Sequence, residues 1–202
     1  MIDLSKDNGI WTVTINRPDK ANSLTEPMLS ELATIVESSG DARVLILTGM
    51  GRVFSAGADL DAARSGLALS PEWERLSSAI AAFQGLSIAA LNGTVAGGAM
   101  GMVLACDLRI AVPEAKAFYP VMKLGFLPQP SDPGRLAALI GPSRAKLILM
   151  AGRKIDAETA RGWGLVDVIC PAEDLMHTAL SLAADTCAAT AEHAAGIKGL
   201  IP

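Results

Sequence analysis

The chain has 202 residues, half of them hydrophobic, with 17 basic and 21 acidic side chains for a net charge of −4. That length and apolar content can bury roughly 70% of the unfolded surface in one core without disulfides or metals, and the mild acidity supplies no basic field for nucleic acid and no Lys/Arg block for a membrane surface. Cys106, Cys170 and Cys187 are odd in number and sit in apolar or alanine-rich surroundings, which fits reduced thiols in a cytoplasm rather than a disulfide framework.

The first seven residues have no basic segment followed by an apolar one, so no signal peptide is read and export is not expected. Ile10-Trp11-Thr12-Val13-Thr14-Ile15 alternates apolar and polar residues, as a strand does, and stops at Asn16-Arg17-Pro18-Asp19. Asn22-Ser23-Leu24-Thr25-Glu26-Pro27 carries helix-start chemistry, and Met28, Leu29, Leu32, Ile35 and Val36 follow at helical spacing. Residues 43–49 form a short apolar run bounded by turn residues, the pattern of a strand buried on both faces. A helix over residues 71–83 and a strand over 86–91 come next, with Glu72 and Glu74 read as solvated helix charges in preference to side chains that swing over a pocket. No charge stands between Leu76 and Cys106, which superficially suggests a membrane span, yet Gln84, Asn92 and five glycines interrupt the run. A strand-turn-helix reading accounts for it better. Residues 97–106 read as a buried helix, 108–112 as a strand, 132–140, 143–151 and 157–163 as helices, 166–169 as a short strand, and 172–197 as a helical tail. The alternation predicts an α/β fold with parallel strands. Without repeats or linkers, residues 1–170 are expected to form the core and 171–202 a helical segment that is not an independent domain.

The chemistry lies in two glycine-centred strand-to-helix turns, Arg52-Val53-Phe54-Ser55-Ala56-Gly57-Ala58-Asp59-Leu60 and Asn92-Gly93-Thr94-Val95-Ala96-Gly97-Gly98-Ala99-Met100-Gly101. Backbone N–H groups fixed in advance stabilise negative charge as it develops on an oxygen. Gly57 and Gly98 permit close approach, leaving the N–H of Ala58 and the N–H of Gly98 as the donor pair. The turns must converge for this to work, which spacing alone does not establish, and each by itself reads equally well as a packing turn. Gly97-Gly98-Ala99-Met100-Gly101 does not give G-x-G-x-x-G, against a dinucleotide site. No Ser-His pair accompanies the turns, and Ser55 reads as a turn residue. His177 and His193 are expected at the surface and make no metal spacing with Cys170 and Cys187, while Met100 and Met102 read as core or pocket lining.

Asn16-Arg17-Pro18-Asp19-Lys20-Ala21-Asn22-Ser23-Leu24, then Leu47-Thr48-Gly49 through Leu60, and Asn92-Gly93 through Cys106-Asp107 come in that order. Lys123-Leu124-Gly125, Gly152-Arg153-Lys154-Ile155 and Trp163-Gly164-Leu165-Val166 follow. The combined pattern, over residues 10–170, resembles the crotonase (enoyl-CoA hydratase/isomerase) superfamily. The resemblance implies a ββα spiral core, a thioester of coenzyme A as substrate with no separate cofactor, and an enolate held by the N–H groups of Ala58 and Gly98. It implies that Ala21, Ala56, Asp59 and Leu60 fall on the nucleotide and pantetheine path, with Lys20 near a phosphate. A solvated Lys20 and a helix-capping Asp59 remain alternatives. It also implies a homo-oligomer, trimer or hexamer, built with C-terminal helices that continue past the point where this chain stops at Pro202, so the C-terminal helical region reads as shortened.

Family hydratases place one glutamate after the second turn and another in a Pro-Glu-x-x-Leu-Gly-like segment. This chain has Gly101 at the first place and, in Pro120-Val121-Met122-Lys123-Leu124-Gly125, Val121 at the second. Neither transfers a proton, so water addition lacks its acid and base. The segment from Phe126 to Arg135 is where some members relocate an acid, which makes Asp132 the candidate, in a register unlike that of the family's dehalogenases and naphthoate synthases. Asp132-Pro133-Gly134 is equally turn or N-cap chemistry. Tyr119, beside the altered segment, reads as a core tyrosine or as a substrate-binding group that donates a proton or a hydrogen bond. The chain is expected to be an enzyme that favours isomerisation or other non-hydratase enolate chemistry. The alternatives are decarboxylation of a malonyl-type thioester, on coenzyme A or an acyl-carrier protein, and a catalytically silent acyl-CoA-binding subunit.

Overall fold

In the computed structural model, which describes residues 1–201 apart from the side chains of Leu60 and Arg64, β1 (Ile2–Asp7) and β2 (Ile10–Ile15) form an antiparallel hairpin. No strand is expected before Ile10 from the sequence. The hairpin closes at Asn8 (φ 49°) and Gly9 (φ 83°), the two positive-φ residues that a tight turn matched to strand twist requires. α1 (Glu26–Glu37) buries Met28, Leu29, Leu32 and Val36 and returns the chain to β3 (Val44–Gly49), parallel to β2. Asn22 does not start this helix. It is left-handed at φ 53°, and its amide donates to the carbonyls of Met50 (2.9 Å) and Val53 (2.6 Å), bracing the exit from β3.

From β3 onward one unit recurs: a strand in a large sheet, a short strand in a second sheet, then a helix. The first is β3, β4 (Val53–Ser55) and α2 (Leu60–Arg64), with α3 (Glu72–Ala82) after it. The next two are β5 (Leu86–Leu91), β6 (Thr94–Ala96) and α4 (Ala99–Ala105), then β7 (Leu108–Ala111), β8 (Lys116–Phe118) and α5 (Val121–Leu124). The chain finishes through α6 (Asp132–Ile140), α7 (Pro142–Leu149), β9 (Ile155–Asp156), α8 (Ala157–Trp163), β10 (Val168–Ile169), α9 (Leu175–Ala188) and α10 (Ala191–Gly199). The six-stranded sheet runs β1-β2-β3-β5-β7-β10 and the four-stranded one β4-β6-β8-β9. Only β1 and β9 are antiparallel to their neighbours.

The α/β expectation holds. β3 and β5 are apolar and buried along nearly their whole length, the pattern of parallel strands covered on both faces. α9 packs on β3, β5 and β7 through Leu175, Ala179 and Ala183, while α1, α3 and α4 stack in sequence. The uncharged stretch from Leu76 to Cys106 is mostly buried, with Ser78, Ala81, Ala82 and Gln84 exposed, and among the described residues no helix is long and apolar enough to cross a membrane. The tail is two helices rather than one, broken before Thr190, whose hydroxyl caps α10 by accepting from the His193 N–H at 3.2 Å.

Candidate active site

β4 and β6 pair in parallel, so the turns leaving their ends lie side by side. Gly57 has φ +87°, and a Cβ there would stand 2.6 Å from the Ala96 carbonyl oxygen; only glycine lets the first turn press against the second. Ser55 does act as a turn residue: its hydroxyl accepts from the Gly57 N–H (3.1 Å) and donates to the Asn22 carbonyl (2.8 Å). The second turn is anchored by the Gly97 N–H on the Phe118 carbonyl at 3.1 Å. Around Ala58, the Leu24 N–H bonds the Gly57 carbonyl and the Asp59 N–H bonds the Leu24 carbonyl, both at 2.8 Å. Among the described residues neither the Ala58 N–H nor the Gly98 N–H has an acceptor of its own.

Both of these residues line one cavity of about 320 Å³. Trp73 of α3 borders it, its ring 3.0 Å from where a Cβ on Gly98 would stand and its indole N–H donating to the Leu67 carbonyl at 2.8 Å. Ala56, Phe118, Val121, Leu124, Phe126 and Leu127 add apolar surface, and Tyr119 and Gln129 contribute the polar side chains. No charged side chain is among the described residues that line it. N–H groups in an apolar setting of this kind interact more strongly with a developing negative charge than they would in water. A larger cleft of about 630 Å³ lies between α10 and the starts of β5 and β7, but its Lys198 and Asp107 already pair with each other at 2.7 Å.

Asp132 stands in the first turn of α6 without capping it; at 1% exposure it points inward. Its Oδ2 accepts from the Tyr119 hydroxyl at 2.9 Å, and its Oδ1 has no partner among the described residues. A Cβ on Gly101 would lie 2.8 Å from that Oδ1, so the carboxylate fills the space that a side chain at this position would need. Burial pushes the Asp132 carboxyl up to about 6, the Tyr119 hydrogen bond and the Arg135 charge opposing the rise and Glu74 adding to it. Burial first, then the charge of Asp132, pushes the Tyr119 phenol well above its ordinary value. The cap reading of Asp132 is thus replaced by an inward carboxylate, because Gly101 leaves it room. Glu74 also departs from expectation. It is half-buried and accepts from both the N–H (3.2 Å) and the hydroxyl of Ser131, tying α3 to the start of α6.

The remaining expected residues lie along the first turn. Lys20 is exposed at the end of a short 3-10 turn, Pro18–Lys20. Ala21 is left-handed at φ 50°, and its carbonyl accepts from the Ala56 N–H at 3.0 Å; of these residues only Ala56 lines the cavity. Asp59 caps α2, accepting from the N–H groups of Asp61 (3.1 Å) and Ala62 (3.3 Å), and it pairs with Arg17 at 2.9 Å. The Ala62 N–H and then the Arg17 guanidinium hold its carboxyl below the ordinary value. The Leu60 side chain lies outside the described residues. His177 and His193 are exposed, and no cluster of metal-binding side chains occurs among the described residues. Trp73 and Phe118 are cavity residues that sequence reasoning missed. The helical spacing of Trp73, Leu76, Ser77 and Ile80 signals a buried face but not which cavity that face borders.

Fold and site together define a spiral of ββα units whose second-sheet turns bring two backbone donors to one apolar cavity. A family model described as enoyl-CoA hydratase/isomerase matches residues 5–200, and the chain belongs to that family. A probable enoyl-CoA hydratase of Mycobacterium tuberculosis is 35% identical over 198 residues, covering 94% of this chain and 76% of its own length. The mevalonyl-coenzyme A hydratase SIDH of Beauveria bassiana is 36% identical over 178 residues, covering 80% of this chain and 64% of its own. Among solved structures, Pseudomonas aeruginosa DspI matches with a TM-score of 0.90 at 33% identity, covering 99% of this chain and 85% of its own. An enoyl-CoA hydratase from Bacillus anthracis matches at 0.89 and 31%, covering 99% and 81%. The crotonase fold read from the motifs is the fold of the chain.

Proposed function

We propose that the chain binds an acyl-CoA thioester in the turn-bordered cavity and stabilises its enolate, the N–H groups of Ala58 and Gly98 donating to the thioester oxygen. The observation that supports this reading is that Ala58 and Gly98, from separate turns, line one apolar cavity and that their N–H groups have no acceptor among the described residues. Losing one such donor typically slows a reaction by about 10²–10³-fold. Moving a double bond is favoured over adding water. Hydration needs one group to activate water and another to protonate carbon, whereas position 101 is glycine and Val121 contributes only apolar surface. A shift of the double bond from C3–C4 to C2–C3 needs a single carboxylate that takes a proton at Cα and returns it at Cγ. Asp132 is that group. Ala56, hydrogen-bonded to Ala21, leads out of the cavity toward Asp59, Leu60 and Lys20, the path assigned to pantetheine and nucleotide. A thioester on an acyl-carrier protein presents the same carbonyl.

A turnover panel of crotonyl-, 3-hexenoyl- and methylmalonyl-CoA, run beside direct binding of hexanoyl-CoA, tests the reading. Conversion of 3-hexenoyl-CoA to the conjugated isomer is expected. Faster crotonyl-CoA hydration or methylmalonyl-CoA decarboxylation would reassign the reaction, binding without turnover would leave a silent subunit, and no binding would sink the proposal.

A further inference from the structure

We propose that Tyr119 is the catalytic residue that exchanges protons with the bound thioester, relaying them to and from the buried Asp132. This rests on the enolate reading above and says how the carboxylate reaches the substrate. Among the described residues lining the cavity, Tyr119 carries the only titratable side chain. Asp132 does not line it and is 1% exposed. The two meet through the 2.9 Å bond from the Tyr119 hydroxyl to Oδ2, and the hydroxyl also accepts from the Gln129 N–H at 3.5 Å, so Tyr119, itself 3% exposed, stands between the carboxylate and the residues that line the cavity.

The step balances without a co-reactant. As the Cα–H bond breaks, its proton passes to Tyr119 Oη while the hydroxyl proton of Tyr119 passes to Asp132 Oδ2. The electron pair left on carbon becomes the enolate, its charge resting on the thioester oxygen between Ala58 and Gly98. The phenol ends as it began, and the carboxylate has become a carboxylic acid. Transfer in the opposite direction, now to Cγ, releases the 2-enoyl thioester and restores the carboxylate. A concerted relay avoids a free phenolate, which burial and the neighbouring Asp132 charge disfavour.

The groups facing Asp132 come from several elements: Tyr119 from the segment after β8, Glu74 from α3 and Arg135 from α6, whereas α4, which brings Gly101 against it, carries no titratable side chain. Glu74 is a positioning residue, holding Ser131 next to Asp132 through two hydrogen bonds. Since the carboxylate is the proton acceptor, the rate rises with pH through the Asp132 ionisation near about 6 and then levels.

Conversion of 3-hexenoyl-CoA to the 2-enoyl thioester, followed by NMR, reads the relay as the transfer of a proton from Cα to Cγ. Tyr119→Phe and Asp132→Asn are each expected to slow isomerisation by about 100-fold or more, with hexanoyl-CoA affinity held within about threefold. The double variant should be no slower than either single, since the two act as a unit. Asp132→Asn should also abolish the rise near pH 6. Because the chain has 1 tyrosine, uniform 3-fluorotyrosine labelling alters this site alone, acidifying the hydroxyl while preserving shape and hydrogen bond. A relay changes the rate; a packing role leaves it unchanged, and that result overturns the proposal. Retention of the rate and its pH midpoint in Tyr119→Phe overturns the relay and leaves the enolate reading standing. A wild type that neither binds hexanoyl-CoA nor isomerises 3-hexenoyl-CoA overturns both.

Discussion

Asp132→Asn is expected to stabilise the fold while removing the proton acceptor, and the gain should depend on pH. In the unfolded chain this carboxyl ionises near its ordinary 3.8, and in the folded chain near about 6. A raised folded value means that the native state holds the proton more tightly. Its contribution is therefore fully present below 3.8 and is lost as pH rises through about 6, beyond which the loss is constant. The gap is equivalent to about 3 kcal/mol. It reflects an ionised carboxylate at 1% exposure with one oxygen unpartnered. Asparagine is neutral and of the same shape, and its carbonyl can still accept from the Tyr119 hydroxyl. The variant should match wild type within about 0.5 kcal/mol at pH 3.5 and exceed it by up to about 3 kcal/mol at pH 8. Urea unfolding at unit pH steps measures this, and the corresponding rise in Tm at pH 8 is on the order of 6–12 °C for a chain of this size. A stability difference that is flat across pH, or a wild type that is the more stable at pH 8, would refute the assignment of a buried, raised carboxyl.

Three further substitutions probe the same neighbourhood. Gly101→Ala places a Cβ 2.8 Å from Asp132 Oδ1 and should destabilise by about 1–3 kcal/mol in urea unfolding, with most of that removed when Asp132→Ala is added. Additive losses would show that the two positions do not share space. Gly57→Ala forces a side chain onto φ +87° against the Ala96 carbonyl, so a loss of at least about 1 kcal/mol is expected, with slower isomerisation of 3-hexenoyl-CoA as the Ala58 N–H is displaced. Isomerisation at the wild-type rate would count against convergent donors. Glu74→Gln removes a charge that raises the Asp132 ionisation, so the midpoint of the pH–rate curve should move to lower pH; an unmoved or higher midpoint would contradict this.

Much of the large sheet was legible because its parallel strands are apolar on both faces, as in Val44-Leu45-Ile46-Leu47, and such runs stand out between turns. The second sheet was not. Its strands are two or three residues long, too short to display a period, and they exist because separate segments of chain meet. β1 carried a usable signal, alternation ending in Asn8-Gly9, but five of its six residues are exposed, so no continuous apolar run announces it. The two glycine turns were readable from local sequence. That they lie side by side was not, since it follows from the pairing of β4 with β6.

The same distinction separates Glu74 from Asp59. A cap for the helix that follows is a local property, and Asp59 accepts from the next N–H groups as its position suggests. Glu74 lies on an amphipathic helix where solvation is the ordinary expectation, and only Ser131, arriving from α6, draws it inward. Gly101 is the case in which a residue read alone misleads most. Taken as a departure from a family pattern, it is a lost glutamate. Beside Asp132 it is a vacated volume: the carboxylate stands where a side chain at 101 would begin, delivered by a helix whose Asp-Pro-Gly start reads as surface turn chemistry. The two positions are 31 residues apart in sequence, and neither predicts the other until α4 and α6 are packed together. A glycine in one element is thus the physical condition for a buried charge from another, and the carboxyl that burial raises to about 6 is the one bonded to the only tyrosine in the chain.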